Sequence, residues 1–168
     1  MKSKVIRKQH NSKLCFICGV KNQFGLDARF YETGDKSLIA IFQPKEEHQS
    51  YPGRLHGGVA SAILDETIGR AIRVFYEEEV WGVTLELKTK YLKPIPLNSP
   101  LKIVARITND TSRFFEGTGE LKLATGEVAV TAEGKYLKLP IEKISDFNAE
   151  EAEWKILKEN NDPLEIEL

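Results

Sequence analysis

The sequence predicts an α+β domain in which an antiparallel sheet wraps around one long central helix. Three observations predict it. A single stretch, Gly57 to about Tyr76, carries helical periodicity. The segments on either side alternate with period two, and turn chemistry punctuates them. At 168 residues the chain is long enough for one domain with a real core.

In chain order, residues 1–14 are polar and basic and read as a loose arm. Cys15-Phe16-Ile17-Cys18-Gly19 leads through Asn22 to Gly25-Leu26, a run of turns. Asp27–Glu32 and Ser37–Gln43 are expected as two short strands, with Thr33-Gly34-Asp35-Lys36 as the hairpin turn between them. Pro44–Arg54 is a polar loop containing Pro52-Gly53. After the helix, Val83, Leu85, Leu87, Thr89 and Tyr91 alternate with Thr84, Glu86, Lys88, Lys90 and Leu92. Leu101–Ile107, Phe115–Leu123 and Val128–Leu139 continue the alternation. Pro94, Pro96 and Pro100 interrupt it once; Asn109–Ser112 and Ala124–Glu127 turn it. The order is two strands, a helix, then four strands expected as a meander. Residues 146–168 are acidic, and Ala149–Asn160 is expected to form a terminal helix ended by Asp162-Pro163. The domain plan is therefore an arm (1–14), one folded unit (15–145) and a tail (146–168).

Around the helix, Glu66, Arg70 and Arg73 form one narrow charged stripe, read as a solvated face with Glu66 and Arg70 an i,i+4 pair. Ala60, Ile63, Leu64, Thr67, Ile68, Ala71, Val74 and Phe75 cover most of the rest, the pattern of a helix buried on nearly all sides. Asp65 stands off the stripe, between Ser61, Gly69 and Ile72. A carboxylate in apolar surroundings is costly unless paired or used. Leu55-His56-Gly57-Gly58 opens the helix, where glycines admit a ligand to free backbone N–H groups that favour negative oxygen. Together these are parts that bind a carbonyl and attack it. For Asp65 the alternative is an ion pair with Arg70 or Arg73.

With 24 basic and 25 acidic side chains, the net charge is near zero. That argues against nucleic acid or a membrane surface as partner. No run of about 18 apolar residues is present, and the N-terminal stretch lacks the apolar region of a secretory signal, so a cytoplasmic protein is expected. Cys15 and Cys18 have C-x-x-C spacing without a second such pair. They read as two reduced thiols packed near a turn, with metal binding and redox chemistry as the alternatives.

The arrangement resembles the hotdog fold. More narrowly, it resembles the acyl-CoA thioesterases of the phenylacetate-degradation (PaaI-like) group, over roughly residues 15–140. Three segments carry the resemblance: Cys15–Gly19 with Asn22, Gly25 and Leu26; His56-Gly57-Gly58 with Asp65; and Trp81–Pro94. It implies hydrolysis of an acyl-CoA thioester, with Asp65 as general base or nucleophile and the N–H of Gly57 or Gly58 polarising the carbonyl. Thr84 would help to hold the attacking water, and Gln49 or Ser50 is the candidate second oxyanion donor. His56 is read as a turn and positioning residue, with direct catalysis as the alternative. Arg113, Lys88, Lys90 and Lys93 are candidates to meet the phosphates of CoA. The resemblance also implies a homodimer, or a pair of dimers, with the site at the subunit interface. No metal and no separate cofactor is implied, because CoA arrives with the substrate. A non-catalytic acyl-CoA-binding or regulatory module on the same fold is the competing reading.

Overall fold

The computed structural model describes residues 2–167. Its strands are β1 (Lys2–Lys8), β2 (Arg29–Thr33), β3 (Leu38–Phe42), β4 (Gly82–Tyr91), β5 (Leu101–Asp110), β6 (Phe114–Lys122), β7 (Val128–Lys138) and β8 (Glu165–Glu167). They form one eight-stranded antiparallel sheet in the order β4-β7-β6-β5-β3-β2-β1-β8. The helix α1 spans Gly57–Ala71 and tightens into a 3-10 turn over Ile72–Phe75. Ala60, Ile63, Leu64, Ile68 and Ala71 are buried at 0–1% exposure among Phe30, Leu38, Ile103, Leu121 and Ala132. The hotdog architecture expected from the sequence is present: a curved sheet closes around one helix.

Four local expectations need correction. The four strands after the helix are not a simple meander. Only β5, β6 and β7 follow one another, whereas β4 pairs with β7 and forms the sheet edge. Pro94, Pro96 and Pro100 lie in the connection that carries the chain away from β4, and β5 pairs instead with β3, Leu38 opposite Ala105. Proline cannot donate to a ladder, so this segment adds no strand to the sheet and makes only an isolated bridge, Pro96 with Arg54.

The arm is not loose. Its Lys2–Lys8 is strand β1, and Arg7 and Gln9 both donate to the buried Glu32 carboxylate at 2.8–2.9 Å. The tail has no helix over Ala149–Asn160. Glu153 takes a positive φ of 49°, and Trp154 stacks on His10 at 5.3 Å between ring centroids. The tail's acidic groups answer basic ones on the sheet: Glu159 meets Lys8 at 2.7 Å and Arg29 at 2.9 Å. Strand β8 then pairs with β1. Tertiary anchoring has overridden a weak helical preference.

The charged stripe of the helix is therefore covered rather than solvated. Arg70 and Arg73 are buried at 5% and 8% exposure. Arg70 lies between the rings of Phe30 and Trp154, and Arg73 lies over Trp81. The i,i+4 pair Glu66–Arg70 forms as expected, at 2.7 Å, but beneath both chain ends.

Candidate active site

His56 caps α1. Its Nδ1 accepts the Gly58 N–H at 2.9 Å, and its carbonyl accepts from Val59 and Ala60. That engages Gly58, so among the described residues Gly57 keeps the uncommitted N–H at the helix start. Of the two proposed oxyanion donors, Gly57 is the one left free. The Tyr91 hydroxyl donates to the Gly57 carbonyl at 2.8 Å and accepts from Ser61 at 2.6 Å, bracing this first turn against β4. The groove beside it, about 440 Å³, is lined by Ser50, Tyr51, Arg54, Gly57, Tyr91 and Lys93 among others.

Asp65 lies two turns further along and is half-buried. It pairs with neither arginine of the helix, since Arg70 binds Glu66 instead. Thr84 Oγ1 donates to its two carboxylate oxygens at 2.9 and 3.1 Å, and the Tyr136 hydroxyl donates to Oδ1 at 3.0 Å. Burial raises the Asp65 pKa, and the two hydroxyl donors pull against that rise. Thr84 and Tyr136 stand opposite each other in the β4–β7 ladder, which directs both side chains to one face. Tyr136 is buried, stacked on Phe115 at 4.9 Å, and its ring lies where a side chain at Gly134 would sit, 2.6 Å from a Cβ built there. Asp65, Thr84 and Tyr136 face a cavity of about 200 Å³, also lined by Cys15, Cys18 and Trp81.

The structure thus brings Thr84 to Asp65, and Ser50 and Lys93 to the helix start. Gln49 spends its side-chain oxygen on its own loop, accepting from Gly53 N–H at 2.7 Å. Lys88 and Lys90 open on a different concavity, with Arg106, Thr118, Glu120 and Thr131. Arg113 is exposed on the β5–β6 turn, over the ring of Phe114. Lys93 is paired with Glu127. Sequence reasoning missed Tyr136. The available signal was the alternation that puts Val130, Ala132, Gly134 and Tyr136 on one face of β7. Cys15, Cys18 and Glu66 bring their ligand atoms within 4.8 Å of one another, but Arg70 already bridges Glu66 and Cys18, at 2.7 and 3.1 Å.

One helix cradled by a strongly curved antiparallel sheet, with a glycine-opened helix start and an inward carboxylate, defines a hotdog-fold protein. In family terms, residues 52–130 match the model of the thioesterase superfamily. The rat acyl-coenzyme A thioesterase THEM4 is 35% identical over 80 residues, which are 48% of this chain and 33% of that protein. The chain therefore spans about a third of the rat protein's length. The crystal structure of the thioesterase superfamily protein RHA08564 shares 28% identity at a TM-score of 0.59, over 66% of this chain and 53% of that one. The PaaI protein of E. coli, from the phenylacetic acid degradation operon, superimposes at a TM-score of 0.61 with 12% identity, over 68% of this chain and 81% of that one. No helix among the described residues is long and apolar enough to cross a membrane.

Proposed function

We propose that the chain hydrolyses the thioester of an acyl-CoA to a free acid and CoA. The observation that carries this reading is the Asp65 carboxylate. It is half-buried, without a cationic partner among the described residues, and held by two hydroxyl donors at the wall of a cavity. A carboxylate so placed can accept the proton of an attacking water, or attack the carbonyl carbon itself. Its raised pKa makes it a stronger base than an exposed aspartate, and Thr84 and Tyr136 fix which lone pairs remain for the reaction. Negative charge growing on the thioester oxygen is met by the Gly57 N–H at the positive end of α1. The thiolate of CoA leaves without strong acid help.

Gly57 and Asp65 lie about 12 Å apart along the same helix axis. One carbonyl cannot meet both groups of a single protomer. A second copy resolves this, its Gly57 facing the first copy's Asp65. Strand β4 supports such pairing: it is the sheet edge, and Val83, Leu85 and Tyr91 are 36%, 54% and 51% exposed. An apolar, unpaired edge strand is a surface that seeks a partner. Two unpaired thiols, Cys15 and Cys18, fit a cytoplasmic setting.

A panel of short, long and aromatic acyl-CoA esters, assayed for thiol release beside Asp65→Asn, tests the proposal. Thiol release by the native chain and its loss in Asp65→Asn are expected. Acyl-CoA that raises thermal stability without any release would identify a binding module instead.

A further inference from the structure

The cysteine pair is not used by the proposed hydrolysis, yet it lines the same cavity. Cys15 and Cys18 sit in a turn closed by the Gly19 N–H to the Cys15 carbonyl, at 2.8 Å. Only glycine fits at position 19, where a Cβ would lie 2.3 Å from that carbonyl oxygen. A turn keeps residues i and i+3 under about 7 Å between Cα atoms, a separation a disulfide can bridge. The two sulfurs lie within 4.8 Å of each other.

Their surroundings differ. Cys18 Sγ accepts from the Arg70 guanidinium at 3.1 Å, and the Ser12 hydroxyl lies 3.5 Å away. Among the described residues Cys15 has no cationic partner; its sulfur accepts the Ile17 N–H at 3.3 Å. The Cys15 thiol, donating to Cys18, lowers the Cys18 pKa, with Arg70 adding to that effect, and the same hydrogen bond raises the pKa of Cys15. The two cysteines thus differ in surroundings: Cys18 alone faces a guanidinium, which favours its thiolate, and Cys15 is the neighbouring thiol.

We infer that Cys18 and Cys15 form a peroxide-reactive dithiol, Cys18 as the attacking thiolate and Cys15 as the resolving thiol. The oxidant is a hydroperoxide small enough to enter the cavity of about 200 Å³. The Cys18 thiolate attacks the outer peroxide oxygen. An S–O bond forms, the O–O bond breaks, and the departing alkoxide or hydroxide takes from solvent the proton that Cys18 gave up on ionising, to give an alcohol or water. Cys15 then attacks the Cys18 sulfenic sulfur. An S–S bond forms, the S–O bond breaks, and the released hydroxide takes the Cys15 proton as water. Two thiols and one hydroperoxide become one disulfide, one alcohol (or water) and one water.

A metal is disfavoured at the same three groups. The buried Arg70 guanidinium binds both Glu66 and Cys18 and is itself fixed by the His10 carbonyl at 2.7 Å. A dication would be placed against a permanent buried cation.

This inference is independent of the hydrolase reading, and its test uses no thioester. The reduced 168-residue chain is exposed to hydrogen peroxide, and free thiols and intact mass are followed. Expected are the joint loss of both thiols, a mass lower by two hydrogens in a monomeric chain, and full reversal by dithiothreitol. Cys15→Ser should accumulate a sulfenic acid that dimedone captures. Cys18→Ser should lose its remaining thiol about 10-fold more slowly or less readily still. The inference is overturned if both native thiols survive a peroxide dose that consumes glutathione, if dimedone labels Cys15 in Cys18→Ser instead, or if the purified chain carries one zinc ion whose removal is needed before either thiol reacts. The native chain's mass and thiol count decide the matter even if a variant misfolds.

Discussion

Two aspartates, one on the β2–β3 turn and one on the helix, show how environment assigns a role to the same side chain. Asp35 accepts from Thr33, Ser37, Ser3 and the Arg106 guanidinium, at 2.6–3.1 Å. Burial acts against its charge, but those four donors outweigh it and hold its carboxyl well below the usual carboxylate range. Asp65 has two donor side chains, neither charged, and burial wins, so its pKa rises. The first carboxylate ties β1, the hairpin and β5 together. The second is left basic and under-committed beside a cavity. A charged partner turns a carboxylate into structure, and its absence leaves a carboxylate available for chemistry.

The sharpest way to break this contrast is Asp65→Asn. Thiol release is expected to fall by roughly 10²–10⁴-fold, while the melting temperature at neutral pH holds or rises. The reason lies in linkage. A carboxylate whose folded pKa is raised destabilises the fold when ionised, a cost present above the folded pKa and gone below the unfolded one. A folded variant that retains full activity removes Asp65 from the mechanism.

Tyr136→Phe sharpens the comparison by removing one donor. Activity near neutrality should fall about tenfold, the equivalent of one hydrogen bond to a charged group. Because that bond favours the ionised form, the rising limb of the pH–rate profile should also move to higher pH in the variant. A drop in rate with an unmoved profile would mean that Tyr136 only packs.

Asp35→Ala is expected to leave turnover unchanged and to cost about 1 kcal/mol in chemical denaturation at neutral pH, a figure already reduced for partial solvent screening. The folded pKa of Asp35 is depressed, so its stabilisation is present above the unfolded value and is lost as pH falls through the folded one. The difference between native and variant should therefore shrink in acid.

The smallest effect separates the lysines. Lys93→Ala, at the helix-start groove, should raise KM for acyl-CoA severalfold, whereas Lys88→Ala, on the other concavity, should change it by less than about twofold.

The helix and the inner strands were readable because they bury one face on a fixed period. Ile63, Leu64 and Ile68 reach zero exposure where the pattern predicts it. Asp65 stood out because a carboxylate among small and apolar neighbours breaks that pattern, and His56 because it precedes two glycines. The two ends of the chain were not readable. Lys2–Lys8 and Glu165–Glu167 are polar, and their order comes from pairing with each other and from groups far away in sequence, such as Lys8 with Asp162 at 2.5 Å. The burial of Arg70 and Arg73 was hidden for the same reason: what covers them is Trp154 and residues 9–18, distant along the chain. Tyr136 was hidden because its partner lies across the sheet, in a pairing of β4 with β7 that the expected meander did not contain.

That pairing has one irregularity, between Thr84 and Glu86: Thr84 stands opposite Tyr136, Glu86 opposite Lys135, and Leu87 opposite Gly134. Leu85 is an unmatched residue, a bulge that reverses the parity of the strand. Strict alternation would set Thr84 on the side of Lys88 and Lys90. The inserted residue lets Thr84 and Leu87 share the inward side, so that one edge strand seals the interior along most of its length and still delivers a hydroxyl to Asp65. Drawing Leu85 into the ladder would force a choice between the two, because every later side chain of the strand would then rotate to the opposite surface.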